Sequence, residues 1–279
     1  MKLTLGFSPC PNDTFIFDAL VNGDIDTEDI QYEPILDDVE TLNRWALKGK
    51  LSVSKVSYGV VPQILPQYNM LESGGAMGMG VGPLLITTPK NVSLSEEQLN
   101  QLPIAIPGEN TTAHILLSFA FPHLQKKVFT VFNQIEEAVL SGTVAAGVII
   151  HENRFTYQDK GLVLIKDLGQ HWEDQLLSPI PLGGIAIQRK ITPEIKGKVN
   201  QHIAASITKA WKQYPILSSY VVKHAQEMSE QVMRQHIQLY VNDFSISAGD
   251  IGKKAVNTFL SVYSELRGMH IPEAATIFI

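Results

Sequence analysis

The chain has 279 residues, of which 44% are hydrophobic and 18% charged, and its formal net charge is −6. This is a globular composition with enough apolar material for two lobes, which excludes a disordered chain. A net negative charge with no basic run also excludes tight nucleic-acid binding, which needs a clustered positive face.

Short apolar runs rich in Val and Ile alternate with helix-length amphipathic segments, the pattern of parallel α/β structure. Residues 3–7 read as a first strand. Ser8-Pro9-Cys10-Pro11-Asn12 then breaks the chain, because two prolines cannot sit in a central ladder. Asn12 or Asp13 can cap a helix over 14–21. The opening MKLTLGFSPCPND lacks the basic-then-apolar order of a signal peptide, so a cytoplasmic location is expected. Nor is any apolar run long enough to span a membrane. Cys10 stands alone in the chain, so it makes no internal disulfide, and no Cys/His cluster has zinc spacing. Beside two prolines it reads as a structural residue or as a nucleophile.

A strand is expected at 30–35, a helix at 39–47 closed by Gly49, and a strand at 51–56 ending among Ser54, Lys55 and Ser57. A helix follows at 58–65. Glycines 74, 75, 78, 80 and 82 suggest a flexible stretch, and 81–88 a strand. A helix at 95–102 is capped by Ser93 or Ser95. A strand at 103–106 leads through a loop at 108–112 to a helix at 113–120. Then come a strand at 128–132, a helix at 134–140 and strands at 145–150, 162–165 and 185–188. Four helices close the chain, at 194–213, 216–226, 229–241 and 249–266.

The block from about 90 to 183 is thus a small α/β unit set between an α/β start and a helical end. The expected division is a discontinuous large lobe, 1–88 with 186–279, and a small inserted lobe, 89–185. The chain would cross between them near 86–90 and 183–188. Two crossings make a hinge, and the space between lobes makes a cleft.

In an open parallel sheet, ligands bind at the carboxyl ends of the strands. That rule selects Ser8, Asn12 and Thr14 after the first strand, and Ser54, Lys55 and Ser57 at the third. It also selects Asn110, Thr111 and Thr112 before a helix, and His151 directly after Val148-Ile149-Ile150. Backbone N–H groups at helix starts, with hydroxyls, suit a carboxylate or a polyol. The same residue types also serve simply as helix caps. Among the histidines, His123, His202, His224, His236 and His270 read as surface or filler, and His114 as a packing residue. His151 differs because an apolar strand delivers it to the cleft edge, where a structural and a catalytic role both stand open.

Other motifs fail. There is no G-x-S-x-G elbow. Ser52-Val53-Ser54-Lys55 matches S-x-x-K by letter, but it lies in a strand and no K-T-G accompanies it. Gly78, Gly80 and Gly82 lack the spacing of a nucleotide-binding loop. Glu136-Glu137 reads as a solvated helix face.

Several segments together resemble the 1,4-dihydroxy-6-naphthoate synthases. They are Gly6-Phe7-Ser8-Pro9-Cys10-Pro11-Asn12-Asp13-Thr14-Phe15, Ser54-Lys55-Val56-Ser57-Tyr58-Gly59 and Gly80-Val81-Gly82-Pro83-Leu84. Gly147-Val148-Ile149-Ile150-His151-Glu152 and Tyr240-Val241-Asn242-Asp243-Phe244 complete the set. The first and the His151 segments are the most specific. The resemblance implies an α/β fold of the type II periplasmic-binding-protein-like kind, two lobes with a cleft, used as a cytoplasmic enzyme. It implies a lyase acting on cyclic dehypoxanthine futalosine, a small-molecule carboxylate, with His151 as base and Thr111 and Thr112 on the ligand. Aromatisation would drive the reaction, so neither metal nor redox cofactor is expected, and neither is stable membrane association. Two rival readings are a chorismate dehydratase of the same pathway and a non-catalytic small-molecule-binding protein.

Overall fold

The alternating strands and helices sort into two five-stranded sheets. The computed structural model describes every residue except 152, 226–228, 270 and 272–276. Its strands are β1 (Lys2–Phe7), β2 (Gln31–Leu36), β3 (Val53–Ser57), β4 (Tyr68–Gly78), β5 (Leu84–Thr87), β6 (Ile104–Ile106), β7 (Lys127–Phe129), β8 (Ala146–Ile149), β9 (Val163–Asp167) and β10 (Ile180–Gln188). Its helices are α1 (Pro11–Val21), α2 (Val39–Leu47), α3 (Val61–Ile64), α4 (Glu96–Asn100), α5 (Thr112–Ala120), α6 (Ile135–Leu140), α7 (Asn153–Thr156), α8 (Leu168–Leu176), α9 (Pro193–Gln213), α10 (Ser219–His224), α11 (Glu230–Tyr240), α12 (Asp243–Ile246) and α13 (Gly249–Arg267).

The first sheet runs β2-β1-β3-β10-β4 and the second β7-β6-β8-β5-β9. Each is parallel except for one returning strand. β10 is antiparallel to β3 and β4, and β5 is antiparallel to β8 and β9. All five residues of β3 and all four of β8 are buried, as strands covered on both faces must be.

The chain passes from the first sheet to the second at 79–83 and returns at 177–179. Both passages come earlier than the crossings expected near 86–90 and 183–188. Gly82-Pro83 delays the start of β5, since proline cannot donate to a ladder. Pro181 disguises the start of β10, where a register shift beside it accommodates the ring.

The glycines at 74, 75 and 78 belong not to a flexible stretch but to β4. Gly74 has φ +86°, and a Cβ there would lie 2.6 Å from Ile185 Cγ1 on β10. The glycine therefore marks an irregular, closely packed strand rather than a loose one. α1 likewise begins at Pro11, before the expected 14–21 helix, because proline is at home in a first turn. Neither Asn12 nor Asp13 caps it. α7, α8 and α12 stand where the sequence pattern predicts no helix, and the expected 216–226 helix ends at residue 226, outside the described residues.

Three packed clusters hold these elements. Leu3, Leu5 and Phe7 of β1 pack with Ile16 and Phe17 of α1 and with Ile203 and Ile207 of α9. On the second sheet, Ile135 and Val139 of α6 cover Ile86, Ala105 and Ile149. The largest cluster bridges the two sheets. In it Phe259 of α13 meets Tyr58 at 6.4 Å and Trp172 of α8 at 5.8 Å between ring centroids. No helix among the described residues is long and apolar enough to cross a membrane.

Two helical glycines separate intrinsic propensity from packing. Gly197 in α9 has open space where a Cβ would stand, whereas at Gly169 in α8 a Cβ would lie 2.6 Å from Gly82 Cα and 2.8 Å from Gly82 N. Gly197→Ala should stabilise by about 0.5–1 kcal/mol, the ordinary gain for a helix. Gly169→Ala should instead destabilise by about 1–3 kcal/mol, because the obstacle is backbone at the passage between sheets. Calorimetric Tm values moving in opposite directions are the expected result, and a rise for both would refute the tight passage.

Candidate active site

The carboxyl ends of the parallel strands of both sheets border one cleft. From the first sheet come Ser8 after β1, Lys55 and Ser57 of β3, and Leu182 and Gly183 of β10. β10 reaches this edge because its start pairs Gly183 with Ser57. From the second come Thr111 and Thr112 after β6, and Ile150 and His151 after β8. Val39, Ala76 and Val81 add apolar wall, and α11 adds His236 and Tyr240.

The floor on the first-sheet side is built around Asp13. Its carboxylate pairs with Lys55 Nζ at 2.9 Å, and both side chains are almost wholly buried. Asp13 Oδ2 accepts from Ser8 N at 3.2 Å and Ser8 Oγ at 2.7 Å, while Oδ1 accepts from Asn12 Nδ2 at 2.8 Å. Lys55 Nζ also donates to the Gly74 carbonyl at 2.8 Å. A buried carboxylate needs such a full set of donors. Asp13, which the sequence offers as a helix cap, is therefore the hub of this wall.

A second network ties α2 to the loop before α5. Asn43 Oδ1 accepts from Ser57 N at 2.9 Å, and its Nδ2 donates to Ser57 Oγ at 3.1 Å and to the Asn110 carbonyl at 3.3 Å. Glu40 accepts from Asn110 N at 3.2 Å and Asn110 Nδ2 at 2.9 Å. A Cβ on Gly108 would lie 2.5 Å from Glu40 Oε2, so only glycine admits this approach.

Thr111 and Thr112 have distinct local tasks. Thr111 caps α5, with Oγ1 accepting from His114 N at 3.3 Å and donating to the Gly108 carbonyl at 2.9 Å. Thr112 Oγ1 donates to the Leu182 carbonyl at 2.7 Å and accepts from Gly59 N at 3.3 Å. Thr112 thus bridges from the second-sheet side to β10 and the loop after β3. Its hydroxyl proton is already engaged by protein.

His151 follows β8 with φ +61°, a left-handed conformation uncommon outside glycine. Its Nδ1 lies 3.5 Å from Cys10 Sγ. Phe132 meets the ring edgewise at 5.0 Å, and His236 stacks at 6.2 Å with 24° between planes. Burial holds His236 well below its ordinary pKa, and the charges of His151 and Arg154 push the same way, so it is neutral near pH 7.

Of the residues expected at the cleft, Ser8, Asn12, Lys55, Ser57, Thr111, Thr112 and His151 line it. Three do not. Thr14 Oγ1 is spent on the Cys10 and Pro11 carbonyls of its own helix, at 3.1 and 3.3 Å. Ser54 is fully buried, with Oγ donating to the Lys55 carbonyl at 3.0 Å. Asn110 is turned toward Glu40 and Gln63. His236 and Tyr240, by contrast, belong to the cleft rather than to the surface. Their spacing of four with Met233 and Ile237 makes one buried stripe of α11, a periodicity legible in the sequence. Glu136 also departs from expectation. It is buried, bonded to Asn153 and paired with Lys160 at 2.7 Å. Glu152 and His270 lie outside the described residues. Among the described residues no group of three or more His, Cys, Asp or Glu could hold a metal ion.

Comparison with known proteins places this geometry in context. A family model described as menaquinone biosynthesis matches residues 3–265. A protein of Thermus thermophilus named 1,4-dihydroxy-6-naphtoate synthase is 41% identical over 99% of this chain and 99% of its own. One of the same name from Streptomyces coelicolor is 38% identical over 93% of this chain and 92% of its own. In fold, the chain is similar to a Candida albicans protein described as exhibiting the generic periplasmic binding protein structural fold. The TM-score is 0.68 at 11% identity, over 97% of this chain and 92% of that one.

Lys55→Met should destabilise the protein by about 3–5 kcal/mol, since it leaves Asp13 buried without its cation. Asp13→Asn added to it should recover part of that loss. Urea titration of both variants tests this, and a neutral single variant would show the pair to be energetically idle. A second prediction concerns acid. Burial, the largest cause, pushes His114 down to about 4, with the Lys127 and Arg267 charges adding to it against the Glu109 carbonyl bond. An unfolded histidine titrates near 6.5, so the unfolded state binds the extra proton first. The contribution is therefore complete above pH 6.5 and is lost as pH falls toward 4, for a total of roughly 3 kcal/mol. His114→Gln should flatten the stability profile between pH 7 and pH 4, measured by denaturant midpoints. An unchanged slope would contradict the assignment.

Proposed function

The chain belongs to the 1,4-dihydroxy-6-naphthoate synthase family of menaquinone biosynthesis, and from that premise we propose that it is a lyase. It converts cyclic dehypoxanthine futalosine to 1,4-dihydroxy-6-naphthoate in the cytoplasm, with His151 as general base. The observation that carries this reading is the position of His151. The buried strand β8 delivers it to a cleft whose opposite wall holds Lys55, Ser57 and Ser8.

The chemistry fits the two kinds of wall. Breaking the carbon framework begins with proton removal, and the resulting charge spreads onto a neighbouring carbonyl. A neutral imidazole is suited to that near pH 7. Aromatisation then supplies the driving force as the ribose-derived part leaves, without metal or redox cofactor. Val39, Ala76, Val81 and Ile150 form an apolar face for the bicyclic ring. Lys55, which lines the cleft and pairs with Asp13 at 2.9 Å, is the cation for the substrate carboxylate. Asn12 and Ser57 supply hydrogen bonds around it, beside Ser8 and Thr111, whose hydroxyl protons are engaged by Asp13 and the Gly108 carbonyl. Thr112 acts here by holding the two sides of the cleft together as well as by contact. On this reading the unit of β5 to β9 closes against the first sheet about 79–83 and 177–179, shutting water out of the site.

Purified protein incubated with cyclic dehypoxanthine futalosine should release the naphthoate, followed by chromatography, and chorismate should be left unchanged. Turnover of chorismate instead, or ligand binding without turnover, would overturn the proposal. His151→Asn should lose at least about a hundredfold in kcat, as removal of a positioned general base does, with little change in Tm. A stable His151→Asn protein with near-normal kcat would sink the base assignment.

A further inference from the structure

We propose that Asn43 is a positioning residue that fixes Ser57 as a hydrogen-bond donor toward the cleft, so that the ligand group Ser57 meets is an acceptor, a carboxylate oxygen. The inference rests on the reading that Lys55 and Ser57 receive the substrate carboxylate, and it adds what sets the polarity of that contact.

Backbone groups at both ends of the Asn43 side chain decide which way its amide faces. The residue is fully buried. Oδ1 stands 2.9 Å from Ser57 N, and a backbone N–H can only donate. Nδ2 stands 3.3 Å from the Asn110 carbonyl, which can only accept. Exchanging the two amide atoms would set donor against donor at Ser57 and acceptor against acceptor at Asn110. With one Nδ2 proton on Asn110, the other is directed to Ser57 Oγ at 3.1 Å. Ser57 Oγ therefore accepts from Asn43, and its own proton is turned elsewhere.

In this Ser57 differs from the other serine and threonine hydroxyls that line the cleft. Ser8 Oγ gives its proton to Asp13 at 2.7 Å, Thr111 Oγ1 to the Gly108 carbonyl at 2.9 Å, and Thr112 Oγ1 to the Leu182 carbonyl at 2.7 Å. Among the described residues none accepts the Ser57 proton, which is left for whatever fills the cleft. Lys55 precedes Ser57 by two residues on β3, and alternate residues of a strand share a face. Both line the cleft, so a cation and a hydroxyl donor stand along one wall. Hydrogen bonds to an ionised acceptor are the stronger kind, so this pairing favours a carboxylate over a neutral group of the same size. Asn43 belongs to α2 and touches no ligand on this reading. It acts through Ser57.

The test is calorimetric binding of 2-naphthoate and of its hydroxymethyl analogue, which keeps the ring and loses the charge. Wild type should prefer the carboxylate, and Ser57→Ala should reduce that preference about ten- to a hundredfold, as loss of a hydrogen bond to a charged group does. Asn43→Asp, in mildly alkaline buffer, keeps an acceptor for Ser57 N but sets an oxygen where Nδ2 stood, which draws the Ser57 proton inward. It should reduce the preference to the same degree, and adding Ser57→Ala to it should reduce it no further. A purely structural Asn43 would instead lower Tm and weaken both ligands alike, and that result overturns the inference. Should Asn43→Asp fail to fold, neutron diffraction from deuterium-exchanged wild type with 2-naphthoate decides. A Ser57 deuteron on the ligand carboxylate supports the inference, and one directed at Asn43 overturns it. Absence of 2-naphthoate binding to wild type overturns it too. Turnover of cyclic dehypoxanthine futalosine with an unchanged preference in Ser57→Ala removes this inference and leaves the enzyme reading standing. The expected preferences without turnover do the reverse.

Discussion

The buried ion pair of Asp13 with Lys55 sets the conditions that the rest of the site obeys. A carboxylate removed from water requires donors on both oxygens, and here Ser8, Asn12 and Lys55 provide them. That demand shapes the loop between β1 and α1. Ser8 must turn its backbone and hydroxyl inward, which in turn receives the Cys10 amide. Lys55 is drawn off the middle of β3 toward Asp13 and the Gly74 carbonyl, so one cation links α1, β3 and β4. A pair of this kind is poor evidence for stability, because desolvation offsets much of the Coulomb attraction. It is better understood as a way of holding polar atoms in one arrangement beside a cleft.

The opposite wall is organised by different means. The loop before α5 is held by Glu40 and Asn43 of α2, which belong to the first-sheet side. Thr112 reaches back to Leu182 and Gly59, and a Cβ on Gly59 would lie 2.5 Å from the Thr111 backbone. The contact between the two sides therefore depends on backbone-to-backbone approach at glycines and on a few directed hydrogen bonds. Such contacts are short-ranged, so the two sides fit in one way or come apart.

The two walls meet at His151. The apolar strand β8 places His151 firmly, while its partners Cys10 and His236 stand on the other side of the cleft. Burial keeps His236 neutral, so it packs against His151 without adding a second positive charge there.

What the sequence by itself determined is local. The 39–47 helix, the strands delivering Ser8 and His151, the Ser95 cap and the hydroxyl-rich loops all follow from periodicity and turn chemistry within a few residues. Recurrent segments such as Gly6–Phe15 and Gly147–His151 were enough to reveal the family. Periodicity states which residues share a face, but not what that face meets. Pairing partners lie outside any local window, so β4 was hidden by its glycines and the antiparallel return of β10 by its proline. The same gap explains the site. Thr14, Ser54 and Asn110 have the right chemistry, yet each hydroxyl or amide is consumed by a neighbour that only folding supplies. Asp13 and Cys10 lie in a recognisable segment and His236 on a helical stripe, but none of these patterns states what the side chain meets. Each acquires its role from a partner far away in sequence, Lys55 for the first and His151 for the other two. Tertiary structure decides such roles because a hydrogen bond or ring contact depends on distances of a few ångströms between strands and helices that the chain brings together only once.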